Sequence, residues 1–274
     1  MAEIWEILND YFDDHLVDLK YGEERLRQLR RVFANFTDIE NVTQRDLTLV
    51  LGRWKGATHN RYVAALTHFF KWCRLRELTD LRPEFQNRRE ASRDTVMSLG
   101  QVRRLLGAVE AAGDEWSPFC AMLVLTGQRR GEVRDLIVDD VDDDTWFIQD
   151  TKNGNPHVVH LSETAQGWVD RWVPPSGNFN CMKLRWFKAA GVDATRYRFH
   201  DIRRSFATHL VEDGQDPQVV DRILNHCGGA RGVARVYNRA QMLPQRRAAM
   251  LRWDEMLAGN QNTLAQTRTV RAAE

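Results

Sequence analysis

The chain is short of several things that would direct it to other functions. Its four cysteines, Cys73, Cys120, Cys181 and Cys227, are scattered and form no C-x-x-C pair. That argues against a disulfide framework or a zinc site and fits reduced thiols in a cytoplasmic setting. No apolar run approaches the roughly 20 residues that a membrane span needs. The acidic opening, with Glu3, Glu6, Asp10, Asp13, Asp14 and Asp18, is unlike a secretory signal. Nothing resembles a Walker loop, so no nucleotide or other cofactor is expected. Asp139, Asp140, Asp142, Asp143 and Asp144 form a run, but no partner cluster makes them a metal-ligand set, and no metal is expected. Internal repeats are absent. The net charge is only +1, so the overall basic excess common among DNA-binding proteins is missing as well.

What the total charge hides, its distribution shows. The acidic opening gives way to a basic stretch from Arg53 to Arg93 that includes Lys55, Arg61, Lys71, Arg74, Arg76, Arg82, Arg88 and Arg89. The acidic run at 139–144 follows, and a second basic excess extends from Lys183 to Arg252. Such alternation suits a protein with one face toward a polyanion and another toward solvent. With 274 residues, the chain is long enough for two domains with proper cores.

Apolar spacing over residues 1–82 predicts helices throughout: Ile4, Ile7, Leu8, Tyr11 and Phe12, then Leu26, Leu29, Val32, Phe33 and Phe36. Thr43 is expected to cap a third helix and Thr58 a fourth, the latter ending near Leu78. Residues 83–94 are polar and basic and open with Pro83, so they read as a linker whose Arg88, Arg89 and Arg93 would suit phosphate contacts. A second domain is expected over 95–258. Ser98 caps its first helix, and the apolar helix Phe119–Leu125 leads into Thr126-Gly127. Strands are predicted at 144–149 and 157–161 around the turn Thr151-Lys152-Asn153-Gly154-Asn155. Further helices are expected near Ser162, Asn180, His200, Asp216, Gly229 and Pro244, the last with Leu243, Leu251, Met256 and Leu257 on its apolar side. Residues 259–274 read as a polar tail. The fold class is mainly α with a small β-sheet: a helical bundle followed by an α/β domain.

Five short pieces then stand in order: Thr126-Gly127-Gln128-Arg129-Arg130-Gly131-Glu132, Lys152, His200-Asp201-Ile202-Arg203, Leu224-Asn225-His226, and Val236-Tyr237. As Arg, Lys, His-x-x-Arg, His and Tyr, the set resembles the active site of the tyrosine recombinases, the phage-integrase family. The likeness extends from about Thr43 to Arg239. Within it, the helical segment Ala57–Trp72 resembles the core-binding bundle of that family, and His200–Leu210 is its most specific stretch. Leu-Asn-His and the glycine-rich residues 227–232 resemble the versions found in prophage and genomic-island integrases.

The residue types suit cleavage of a phosphodiester without metal, which needs cations at the non-bridging oxygens, a nucleophile in line, and a proton for the departing oxygen. Arg129 and Arg203 can clamp phosphate oxygens with planar, permanently charged forks. Glu132, one turn from Arg129, can orient it; Arg130 is the rival to Arg129. His200 shares a helix face with Arg203 and can accept a proton or hold an oxygen, and His226 is expected to touch phosphate. His209 is expected to be structural. From the resemblance, Lys152 would protonate the leaving 5′-oxygen and Tyr237 would be the nucleophile, with Tyr197 and Tyr62 as competing tyrosines.

The resemblance further implies a C-shaped clamp on double-stranded DNA. Four protomers, each a monomer or weak oligomer when free, would assemble on synapsed sites and exchange strands through a 3′-phosphotyrosyl intermediate and a Holliday junction. The terminal helix would dock on a neighbour, and accessory DNA-bending factors are conceivable partners. Integration or excision of a mobile element is the expected role, in the cytoplasm of a prokaryote or for a virus of one. A Xer-type chromosome-dimer resolvase is the alternative, with a catalytically silent DNA-binding relative and a nicking topoisomerase as further readings. Arg53, Arg61, Lys71 and Arg74 are the candidate DNA contacts of the bundle. Because helices are predicted from near Glu3, no arm-binding domain like that of many integrases is expected ahead of the bundle, as in a simple recombinase or a truncated one.

Overall fold

The computed structural model describes residues 3–90, 94–151, 154–226 and 241–259, and the chain forms two compact units, Met1–Arg93 and Asp94–Glu274. Among the described residues no helix is long and apolar enough to cross a membrane.

The first unit contains α1 (Ile4–Tyr11), which continues into a π-helical turn (Phe12–Leu16), α2 (Gly22–Val32), α3 (Gln44–Leu51) and α4 (Gly56–Leu75). Its core is the predicted set of apolar positions, with Leu8, Tyr11, Leu29, Phe33, Leu66, Phe69 and Phe70 fully buried. The Thr43 cap forms as expected: its hydroxyl accepts from the Asp46 amide while the Asp46 carboxylate takes the Thr43 N–H, two otherwise orphan donors satisfied together. Thr58 is not a cap. The helix starts two residues earlier, at Gly56 behind Lys55, so Thr58 lies inside its first turn.

The segment read as a solvated linker begins differently from expectation. Leu81 and Phe85 pack against the helical core. The Gln44 side-chain amide brackets Glu84, donating to its carbonyl and accepting from its N–H, each at 2.9 Å. Asn60 does the same for Arg88 at 2.8 and 2.7 Å. Two side-chain amides thus substitute for a neighbouring strand and hold residues 84–88 extended along α3 and α4.

The second unit comprises α5 (Leu99–Ala112), α6 (Ser117–Thr126), α7 (Arg130–Arg134), β1 (Val141–Asp142), β2 (Thr145–Ile148), β3 (His157–His160), α8 (Glu163–Val169), α9 (Phe179–Ala189), α10 (Phe199–Glu212), α11 (Pro217–Ile223) and α12 (Leu243–Ala258). The antiparallel sheet runs β1-β2-β3, with Trp146 opposite both Val141 and Val159, and Ile148 opposite His157. Trp146 and Ile148 face the core and Phe147 faces out, the period of two expected of a half-buried strand. The short β1 lies inside the acidic run. Asp143, at φ 51°, makes the tight return to β2, a left-handed position that Asp tolerates better than most residues.

Every residue of α6 is buried, so this helix forms the axis of the unit. Its own Phe119, and Phe187, Phe206 and Trp253 from other helices of the unit, are all fully buried. On α12 the buried residues are Arg246, Ala249, Met250, Trp253, Met256 and Leu257. Leu243 and Leu251, expected on the apolar side, are exposed instead. The correct face follows Trp253, whose indole N–H donates to the Val124 carbonyl of α6 at 3.0 Å and whose ring meets Phe206 edge-on. That aromatic anchor rotates the helix and packs it within its own unit. The expected helix near Gly229 lies outside the described residues.

Candidate active site

The site starts at the end of α6. Gly127 turns the chain at φ +62°, and the Phe206 ring lies so close that a Cβ at residue 127 would stand 2.6 Å from Cγ of Phe206. Only glycine meets both conditions. The turn delivers Arg129 to the N-cap of α7, where one carboxylate fixes it twice. The Arg129 N–H donates to Oε2 of Glu132 at 2.9 Å and its guanidinium to Oε1 at 2.6 Å. Glu132 is buried, which makes this a charge-assisted contact of the stronger kind.

Helix α10 brings Arg203 to the same place, 3% exposed. Arg203 donates to the Gly127 carbonyl at 3.0 Å and to the Leu224 carbonyl, and stands 4.0 Å from Oε2 of Glu132. Burial, then the charge of Arg129, pulls its guanidinium down to about 10. It is therefore still cationic at neutral pH, but it is a cation short of compensation.

The C-terminal turn of α11 receives both arginines. Ile223 O accepts from Gln128 Nε2 and His157 Nε2, each at 2.9 Å. Leu224 O accepts from Arg203, and Asn225 O from Arg129 Nη2 at 3.3 Å. Three successive carbonyls, which a helix end leaves without internal partners, thus form a shelf for four donor side chains. The turn closes by His226 N–H to Asp221 O at 2.9 Å and Asn225 N–H to Arg222 O at 3.2 Å, with Asn225 left-handed at φ 48°. This geometry usually selects glycine and sometimes asparagine, which accounts for the Leu-Asn-His sequence.

His200 lies one turn before Arg203 on α10 and is exposed; His226 leaves the shelf 40% exposed by side chain. Partial burial and then the Arg203 charge lower the pKa of both. Nδ1 of His226 is 3.1 Å from Asp221 Oδ1. In the neutral ring Nδ1–H donates to that carboxylate, which leaves Nε2 as an acceptor; protonation turns Nε2 into a donor.

Lys152, Tyr237 and Arg93 lie outside the described residues. The residues bounding Lys152 and Asn153 are described: Gly154, at φ 70°, donates to the carbonyl of buried Thr151 at 3.0 Å, and the Thr151 hydroxyl to Asn155 O at 2.7 Å. Arg130 has its guanidinium over the rings of Phe179 and Phe199 at 5.5 and 5.9 Å. Tyr197 is buried with its hydroxyl on Gln101, and Tyr62 is buried in the first unit, stacked on Trp54. His209 holds the Met97 carbonyl at 2.8 Å. In the first unit Arg53, Arg61, Lys71, Arg88 and Arg89 are exposed and Arg74 partly so; Arg88 donates to Trp54 O at 2.7 Å. Gln128 and His157 were not singled out from sequence. The one signal was polarity at a place where the local pattern is apolar: His157 occupies an inward position of β3.

A family model described as the phage integrase family matches residues 175–242. The chain is 24% identical to "Tyrosine recombinase XerD" of Haemophilus ducreyi over 68% of its own length and 74% of that protein. Among solved structures, a lambda integrase(75-356) dimer bound to a COC' core site is similar, with a TM-score of 0.67, 14% identity, and 82% of this chain and 95% of that chain covered. So is a lambda integrase tetramer bound to a Holliday junction, with a TM-score of 0.66, 16% identity, and 82% and 78% covered.

Proposed function

We propose that the chain is a tyrosine recombinase, as its likeness to the phage integrase family model and to Xer recombinases supports, and that it cuts and rejoins double-stranded DNA at specific sites through a covalent 3′-phosphotyrosyl intermediate. One observation carries the mechanism: two arginines from different helices converge on a shelf of carbonyls while, among the described residues, Glu132 is the one carboxylate paired with them. Carbonyls orient a guanidinium without cancelling it, so the pair keeps net positive charge for the non-bridging oxygens of a phosphodiester, where charge develops in the transition state.

In this reading Arg129 and Arg203 hold the phosphate. His226, steadied by Asp221, donates to a non-bridging oxygen once the negative charge of the arriving phosphodiester favours its protonated form, the proton coming from solvent. His200, with its lowered pKa, is neutral at pH 7 and can accept the Tyr237 phenol proton. The phenolate attacks phosphorus and the bond to the 5′-oxygen breaks, with Lys152 supplying its proton. Bond energy is kept in the phosphotyrosyl ester. The freed 5′-hydroxyl of a partner strand reverses the step, and repetition on the second strands passes through a Holliday junction. Four protomers on two sites would be required. The biological role favoured by the likeness to integrases is integration or excision of a mobile element; the likeness to a Xer protein keeps chromosome-dimer resolution as the second reading.

The test is a suicide-substrate assay with nicked DNA and a chelator, wild type beside Tyr237→Phe. A protease-sensitive 3′ adduct with wild type alone is expected. An adduct from Tyr237→Phe would overturn the nucleophile, and sequence-specific binding without any adduct would favour a silent DNA-binding relative. Sequencing the trapped DNA separates the two roles: joints between two unlike sites indicate integration, and one recurring chromosomal site indicates resolution.

A further inference from the structure

We propose that His157 is a positioning residue of this site: its Nε2–H holds the Ile223 carbonyl and thereby fixes the α11 shelf that aims Arg129 and Arg203. The inference rests on the catalytic reading above and adds to it a residue outside the Arg, Lys, His-x-x-Arg, His and Tyr set.

The argument begins with an oddity of β3. Its inward positions are His157 and Val159, and an imidazole only 5% exposed needs a reason to be in a core. The carbonyl of Ile223 can only accept, so the ring atom 2.9 Å away must be the donor. His157 therefore carries a proton on Nε2. Burial, then Arg246, and further off Arg203 and Arg129 all oppose its protonation, which places its pKa at about 4. A lysine or arginine at 157 would add a third cation beside two that share the Glu132 carboxylate. A neutral ring donates without adding charge.

The hydrogen bond also connects separate parts of the chain. His157 is the first residue of β3 and Ile223 the last of α11, 66 residues apart. Gln128 donates to the same oxygen from the loop before Arg129. Both lone pairs of Ile223 O are thereby used, which sets the plane of the peptide and so the direction of the next carbonyl, Leu224 O, the acceptor for Arg203. Arg246 steadies the strand itself, donating from α12 to Val158 O. The imidazole thus acts on the arginines through a peptide plane and touches no substrate.

The experiment compares His157→Leu with His157→Gln, in which an amide N–H replaces the ring donor. For each, thermal stability, affinity for nicked site DNA and the single-turnover rate of adduct formation are measured. The substrate carries either an ordinary 5′-oxygen or a 5′-bridging sulfur leaving group. His157→Leu is expected to bind DNA as wild type does and to form adduct on the order of tenfold or more slowly, with both leaving groups, and His157→Gln to recover most of the rate. Wild-type rates for His157→Leu would overturn the proposal. So would a defect erased by the sulfur leaving group, which would place His157 on the proton-donor side. If His157→Leu does not fold, His157→Asn, polar but too short to reach Ile223 O, takes its place with the same expectations. The Tyr237→Phe control separates the two levels: an adduct that does not depend on Tyr237 refutes the catalytic reading itself, whereas a Tyr237-dependent adduct formed equally fast by the His157 variants refutes only this inference.

Discussion

Replacing Gly127 with alanine tests how the arginine turn is built. A residue with a Cβ at φ +62° costs about 1–2 kcal/mol for the left-handed backbone. The new methyl would also meet Phe206 at 2.6 to 3.0 Å on three ring atoms. That ring is fully buried against Trp253 and cannot swing aside, so overpacking adds about 1–3 kcal/mol. The sum, about 2–5 kcal/mol, corresponds to roughly 5–20 °C in Tm for a unit of this size. Gly113→Ala is the matched control: its φ is +56° and nothing lies within 4 Å of its added Cβ, so only the backbone cost of about 1–2 kcal/mol remains. Thermal and urea denaturation of the two variants isolate the contact with Phe206. Adding Phe206→Leu to Gly127→Ala should return part of the loss, a coupling expected of touching residues. Equal losses for Gly127→Ala and Gly113→Ala would refute the argument that the ring, and not the backbone angle alone, dictates glycine here.

Arg203→Ala is expected to lower the rate of adduct formation by about 10²–10³ while DNA is still bound; a rate within about threefold of wild type in single-turnover cleavage would remove Arg203 from the phosphate clamp. Folding stability should fall as pH drops from 6.5 toward 4. His157 binds its proton less readily when folded, with a pKa of about 4 against 6.5, so the unfolded chain takes up more protons in that window and is favoured. The full span is on the order of 3 kcal/mol, and urea titrations of His157→Gln should lack that part of the slope. Asn225→Gly is expected to stay within about 1 kcal/mol of wild type, because glycine prefers the left-handed position. Asn225→Val should lose about 1–2 kcal/mol, and equal midpoints for the two variants would contradict the αL assignment.

Much of this fold was legible because caps and apolar spacing act locally. Thr43, Ser98, Ser162 and Asp216 each begin the helix expected of them, since an N-cap needs only its own next turn. Reading failed where a distant partner decides. The orientation of α12 depends on Trp253 reaching Val124 and Phe206, so Leu243 and Leu251 could not be placed from their own neighbourhood. β1 was hidden because Asp is rare in strands, and its two residues are held by pairing with β2. Residues 84–88 resemble a free linker in composition, and the groups that hold them down, Gln44, Trp54 O and Asn60, lie far back in the chain. In the site, the motif residues Arg129, Glu132, Arg203 and His226 were visible as a spaced set. Gln128 and His157 were not, because what they bind is a backbone carbonyl, which leaves no trace in the side-chain pattern.

That choice of acceptor bears on a puzzle in the composition, a chain of net charge +1 proposed to grip a polyanion. Several other arginines of the second unit are matched to carboxylates: Arg252 with Asp213, Arg185 with Asp114, Arg204 with Asp201, Arg247 with Asp144. Those pairs fix side chains and leave no charge to use. At the shelf the same fixing is done by oxygens that carry only partial charge, and Glu132 is shared between two guanidiniums. Burial first, and then the Arg129 charge, lower the pKa of Arg203, and Glu132 offsets them only in part. An incoming phosphodiester would relieve what remains, so part of the destabilisation stored in the free protein becomes affinity for the anion. The useful positive charge of this protein is therefore set by which arginines are left unneutralised, and the net charge says little about it. Substituting a carboxylate near the shelf, as in Gln128→Glu, should test this. The variant gives up the Gln128 donations to Ile223 O and Thr126 O while neutralising Arg203 further, so it is expected to be less stable than wild type and slower to form adduct. Faster cleavage by a folded Gln128→Glu protein would show that orientation of Arg203, and not its uncompensated charge, limits the reaction.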